Sequence, residues 1–311
     1  MAASIRPQPR RGPSGAWSRL KPVAMDALDV YGLPSKGEAR LHEYKNQENY
    51  YTKIVERYMK FCASSNGGDD LEAAFSSLTV KDKTSPLSLP QPTPLSNPSS
   101  KPPLTTRLSD PAHHQSDLPN ILLAMRKLRE GILGSRRKDN FAQRAYMFII
   151  HASILTKSWE SYQPALLYLL QEIHPHTPLS QPEFQEFAGY RILDIACRQG
   201  DLLDALSAKS DYQHQSRKVT AVLKALVQDD WVRFWRVKRA VDGYQRAIME
   251  FAVDRMRLHA LKCLGKSYMS ADKAFVERSG DAVWEDLVKG GVGWQLQEST
   301  GSVVIRKPKP K

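Results

Sequence analysis

The stretch Asp281–Lys307, DAVWEDLVKGGVGWQLQESTGSVVIRK, changes its hydrophobic period partway along, and that change decides the architecture. Its first half, DAVWEDLVKGG, reads as a short helix that starts on Asp281 as N-cap and stops on Gly290 and Gly291. Its second half reads as two strands, Trp294–Gln297 and Ser302–Arg306, joined through the turn ESTG. A further short helix precedes it in ADKAFVERSG. Short helices followed by a β-hairpin, at the end of a run of longer helices, make a winged-helix module over residues 268–307.

Upstream of the module the pattern is helical for some 150 residues. Apolar residues recur at steps of three and four in NILLAMRKLREGIL (Asn120–Leu133) and DNFAQRAYMFIIHASILT (Asp139–Thr156). The same spacing appears in WESYQPALLYLLQEI (Trp159–Ile173), in SQPEFQEFAGYRILDIACRQG (Ser180–Gly200) and in HQSRKVTAVLKALVQ (His214–Gln228). Asp139 is placed to cap the second of these. In DDWVRFWRVKRAVDGYQRAIMEF (Asp229–Phe251), Phe234 and Trp235 fall on one helical face with Trp231, while Arg233 and Arg236 fall off it. Tyr244, Ala247, Ile248 and Phe251 form a similar stripe. Bases stacking on aromatic side chains need those rings beside cations on one exposed surface, so this separation predicts core aromatics instead. The expected fold is mainly α, a TPR-like helical-repeat solenoid over 119–267 followed by the winged helix.

Composition shifts mark the other boundaries. Residues 1–38 are rich in Pro, Gly, Ser and Arg without a period and read as a disordered basic tail. Helices follow over 39–80, the first carrying Tyr51, Ile54, Val55, Tyr58, Met59 and Cys62 on one face and a second running Asp70–Leu78. Nine of the twenty prolines fall between Thr84 and Pro119, a density that helices and central strands do not tolerate, so 81–118 reads as a disordered linker. Residues 308–311 form a second basic tail.

The 311 residues carry 45 Lys plus Arg against 33 Asp plus Glu, a formal charge of +12 that favours acidic partners. Cys62, Cys197 and Cys263 are widely spaced inside helical patterns and read as reduced core thiols, which places the chain in the cytoplasm or nucleus. No apolar run approaches the roughly 18 residues that cross a membrane, so no membrane partner is expected.

The order of helical repeats, ALVQDDWVRFWRVKRAV, a long helix ending DRMRLHALKCLGKSY (Asp254–Tyr268) and then the short module resembles a PCI domain. It is most similar to the small-subunit family shared by the proteasome lid, the signalosome and translation initiation factor three, and close to the GANP-type mRNA-export scaffolds. The resemblance spans about Leu118–Lys307 and rests on architecture and degenerate motifs. It implies a non-catalytic scaffold that assembles with other PCI or MPN subunits through its winged helix, at Trp284, Leu287, Val288, Trp294, Leu296, Val303 and Ile305, with Val304 in the same strand. The alternative it implies is an RNA-associated protein of mRNA export or processing.

Motifs for catalysis are scarce. GxxxxGK[ST], GxSxG and HExxH do not occur. His174–Pro175–His176 has Glu172 as its nearby acidic residue and no Cys, a poor metal set, and Asp194, Cys197 and Asp201 read as helix residues around a buried thiol. No cofactor, metal or reaction is expected. The basic candidates for phosphate contact are Arg136, Arg137 and Lys138 in one helix connection, and Arg306 and Lys307 at the end of the module.

Overall fold

The computed structural model describes residues 26–64 and 111–306. The helix expected at Asp70–Leu78, most of the Pro-rich linker, the far N-terminal residues and Lys307 with the rest of the C-terminal tail lie outside the described residues. The described chain is mainly helical, with one small antiparallel sheet near its C-terminal end.

Two boundaries differ from the sequence reading. Residues 26–38 were expected to be disordered, yet Leu28 is 2% exposed and belongs to the core. Its carbonyl accepts hydrogen bonds from Tyr50 Oη (2.8 Å) and Lys127 Nζ (3.1 Å), and Tyr31 packs edge-on to Tyr50. Leu28, Val30, Tyr31 and Leu33 set up no period of their own, but the helices that follow bury Leu28 and half-bury Tyr31. The linker also ends early, because α2 (Pro111–Gly134) starts on a proline, where a helix needs no donor, and continues through Pro119. The bond that Pro119 forfeits is outweighed by Ile121, Ala124, Met125, Leu128 and Ile132, all buried beneath α2.

α1 (Tyr44–Ser64) packs along α2. Gly131 allows the short 3-10 turn Arg40–His42, which carries Leu41, to approach, since a Cβ there would lie 2.7 Å from Leu41 O. Next come α3 (Asn140–Leu155), α4 (Trp159–Tyr168), α5 (Gln181–Leu193), α6 (Leu202–Asp211) and α7 (Arg217–Val227). Asp139 caps α3 by accepting from Ala142 N (3.0 Å), as its position in the sequence predicts. Ser180 and Glu183 close a reciprocal capping box on α5. α4 and α5 each run on into a wider π turn, Leu169–Ile173 and Asp194–Gln199, which hydrophobic spacing does not reveal.

α8 (Trp231–Ala240) packs on α7, and α9 (Gly243–Met249) returns across α3 and α5, where Tyr244 meets His151 at 4.4 Å between ring centroids. Trp235, Phe234 and Tyr244 are buried and Trp231 and Phe251 half-buried against the same core, while Arg233 and Arg236 are exposed. The separation of aromatic and basic faces read from the sequence holds.

α10 (Val253–Ser267) leads to β1 (Ser270–Asp272), α11 (Lys273–Gly280), α12 (Trp284–Lys289), β2 (Gln295–Gln297) and β3 (Ser302–Val304). The sheet order is β1–β3–β2, with Ser270 opposite Val304 on one side and Gln295 opposite Val304 on the other. The hairpin is where the period change puts it. β1 is not legible, because Ser-Ala-Asp has no strand preference of its own and is extended only by pairing with β3.

Asp281 is not the N-cap of α12. It adopts φ +49° at the end of α11, its carboxylate held by Arg239 (2.9 Å) and Lys238 (3.5 Å) from α8. The free N–H of Trp284 is taken instead by Glu277 Oε1 at 2.8 Å.

Candidate functional site

A small second core holds the C-terminal module together: Leu264 from α10, Val276 from α11, Trp284 and Leu287 from α12, and Val303 from β3. This corrects the expected partner surface. Trp284, Leu287 and Val303 are buried inside the module and offer a partner nothing. Trp294, Leu296 and Ile305 are half-buried against the same cluster. Val304 lies on the central strand, paired on both sides, so the free edges of the sheet belong to β1 and β2. Of the positions that the resemblance implied, Val288 is the exposed one. Leu261 and Leu264 join α10 to the module, whereas Leu258 is exposed.

A groove of about 680 Å³ lies between α8 and the α11–α12 corner, lined by Val232, Trp235, Phe275, Ala282 and Val283. Trp235 fixes its geometry by donating from Nε1 to Ser279 O at 2.9 Å, which fastens α11 to α8. Val232 and Val283 stand at the groove with 56% and 54% of their surface exposed. Arg239 and Arg278 line it, and Arg236 lies one turn from Val232 on α8. Arg239 is occupied by Asp281, but Arg236 and Arg278 are exposed and have no ion pair among the described residues. An apolar floor beside free guanidinium groups accepts a segment that carries both apolar and acidic side chains. Sequence reasoning took Trp235 as core and Arg236 as lying off its face, and passed over Val232, Val283 and Arg278. Val232 was legible as the apolar position off the aromatic stripe of α8, but Val283 becomes a wall only through the corner at Asp281.

The basic candidates part company. Arg136 is exposed, with φ +52° in the α2–α3 connection. Arg137, expected on the surface, is 5% exposed. Its guanidinium lies between the rings of Tyr44 (4.3 Å) and Phe141 (4.2 Å), pairs with Glu48 and Asp139, and donates to Tyr44 O and Gln47 Oε1. Lys138 is half-buried and pairs with Glu172 at 2.8 Å. A phosphate therefore has no access to Arg137. Arg137→Ala should cost about 2 kcal/mol, from the lost ring contacts and the two acceptors left without a donor, whereas Arg136→Ala should stay within about 0.5 kcal/mol. Chemical denaturation of the two variants side by side checks this, and equal midpoints would refute the buried role. Arg306 is exposed at the end of the module, its guanidinium donating to Lys266 O.

The cysteine, carboxylates and histidines weighed for chemistry in the helical part are committed to the fold. Cys197 is buried, and burial pushes its thiol up to about 12. Asp194 is fully buried and bound to Tyr162, Arg198 and Gln199, and Asp201 caps α6 through Asp204 N. His174 accepts from Leu179 N and stacks on Phe184, while His176 contacts Glu172 O, so the His-Pro-His pair closes a turn. Among the described residues no group of three or more His, Cys, Asp or Glu is placed to hold a metal, and no helix is long and apolar enough to cross a membrane.

No protein-family model matches this chain, and no curated protein matches it.

Proposed function

We propose that the chain is a non-catalytic scaffold subunit of the PCI type, a helical-repeat stack carrying a winged helix, that assembles with PCI or MPN subunits of a larger complex in the cytoplasm or nucleus. The element order α10–β1–α11–α12–β2–β3 with sheet order β1–β3–β2 supports the winged-helix assignment. Sequential packing of most helices supports the repeat reading, although α9 reaches back to α3 and α5, beyond its immediate neighbours. The observation that carries the assembly role is the groove between α8 and α11. There a rigid apolar floor with two uncommitted arginines is left uncovered at the joint between the two parts. The edges of β1 and β2 provide a second place for a neighbouring chain to add on.

The test is recovery of partners by tagged full-length protein, wild type against Val232→Glu/Val283→Glu. Both side chains are more than half exposed, so the variant should fold with an unchanged melting temperature while its stoichiometric partners drop at least about tenfold. Undiminished partners with the groove charged would remove the groove from the assembly. Recovery of no PCI or MPN subunit by the wild type would remove the family reading itself.

A further inference from the structure

α10 carries a row of basic residues that the assembly role leaves unused. Arg255, His259, Lys262 and Lys266 are spaced four, three and four residues apart, which puts them within about 60° of one line on the helix and steps them along it by about 6, 4.5 and 6 Å. Arg255, Lys262 and Lys266 are exposed and have no ion pair among the described residues. The carboxylate nearest in sequence, Asp254, lies off the row and pairs with Arg257. Arg255 spends one donor on Ala196 O (3.3 Å), and that anchor holds its guanidinium at the head of the row. At the other end, Arg306 is bound to the carbonyl of Lys266, which adds a further cation just beyond the last turn. Beside the middle of the row lies the half-buried ring of Trp231, 5.7 Å from His259 between centroids.

We infer that the α10 face from Arg255 to Lys266, with Arg306 and Trp231, binds the phosphodiester backbone of single-stranded nucleic acid. Unpaired cations repeating along one line match a polyanion of regular charge. An acidic protein helix would want an apolar stripe between those cations, and here Leu258 is the exposed apolar residue on that face. Trp231 adds an aromatic ring next to the cations, the combination that single strands use and that the sequence of α8 alone does not provide. Recognition is of backbone and stacking, so sequence preference is weak. The inference does not rest on the α8–α11 groove and stands or falls separately from it.

Full-length protein is titrated against a fluorescent 20-nucleotide oligouridine, from low to physiological salt. The wild type should bind with a log-log salt dependence of negative slope. Arg255→Gln/Lys262→Gln/Lys266→Gln should weaken binding at least about tenfold and make that slope about 2 units shallower, at roughly 0.7 per phosphate contact for a single strand. Lys60→Gln/Lys157→Gln/Lys224→Gln, which removes the same charge from three other exposed sites, should change affinity less than about threefold. Melting curves of both variants should match the wild type. The inference fails if the wild type does not bind, or if both triple variants weaken it equally. It fails also if Lys307→Gln/Lys309→Gln/Lys311→Gln abolishes binding while the α10 variant retains it, or if polyglutamate competes as well as RNA per unit charge.

Discussion

Replacing Asp194 with Ala should lower the stability of the helical part by about 4 kcal/mol and its melting temperature by roughly 10 °C. Asp194 is fully buried and opens the π turn that ends α5. The wider turn brings the side chains four and five residues on, Arg198 and Gln199, back to one carboxylate. Oδ1 accepts from Tyr162 Oη (2.7 Å) and Arg198 Nε (2.6 Å), and Oδ2 from Arg198 Nη2 (2.9 Å) and Gln199 Nε2 (3.0 Å). Arg191 stands 3.8 Å away. Alanine would leave two partly buried guanidinium groups without their counter-ion and the Tyr162 hydroxyl without an acceptor, which is why the cost exceeds that of a surface pair.

Burial by itself would raise the Asp194 carboxyl, but the hydrogen bonds from Arg198, Tyr162 and Gln199 together outweigh it and hold the group below the ordinary aspartate value. Its contribution is therefore present above the unfolded value near pH 4 and is lost as the pH falls through the lower folded value. Asp194→Asn should keep the shape, cost about 2 kcal/mol at neutral pH, and flatten the acid limb of the stability profile below about pH 4. Equal melting temperatures for wild type and Asp194→Ala at pH 7 would contradict the network.

Trp235→Ala should cost a comparable 4 kcal/mol or so, with a different signature. Trp235 is 2% exposed, packs edge-on against Phe234 at 5.1 Å and donates from Nε1 to Ser279 O. It thus belongs to the large core and reaches the backbone of the module whose own core is only five residues, Leu264, Val276, Trp284, Leu287 and Val303. A core that small is marginal when unsupported. The expected result is loss of amide-exchange protection in α11 and α12 before α2–α5 are affected. Trp235→Phe should recover most of the packing and leave Ser279 O without its donor, for about 1 kcal/mol. Uniform loss of protection across the chain would show that the module does not depend on this contact.

Some of this was legible in the residues. Helical periodicity located α1, the greater part of α2, α3 to α5 and α7 to α10 because each buries a face at a fixed spacing, and Asp139 capped α3 because an aspartate just before such a run has a free N–H within reach. The switch from period 3.6 to period 2 after Gly291 located the β2–β3 hairpin. The aromatic face of α8 was readable for the same reason: Phe234 and Trp235 share a side, and Arg233 and Arg236 do not.

What lay beyond periodicity depended on partners distant in sequence. Arg136, Arg137 and Lys138 are alike as letters, and only the arrival of Tyr44, Gln47 and Glu48 on α1 draws the middle one inside. β1 exists because β3 lies beside it, and β3 thereby becomes a central strand whose Val303 fills the module core and whose Val304 has no free edge. The basic row of α10 was present in the spacing of Arg255, Lys262 and Lys266, but both sides of that helix mix apolar and charged residues, so the sequence could not say which side would face outward. The sequence by itself located most of the helical segments and their apolar faces, since those follow from neighbours within one turn. Only the tertiary structure decided which cations are buried and paired and which stand free, because a charge's surroundings are set by whatever the fold brings within a few ångströms of it.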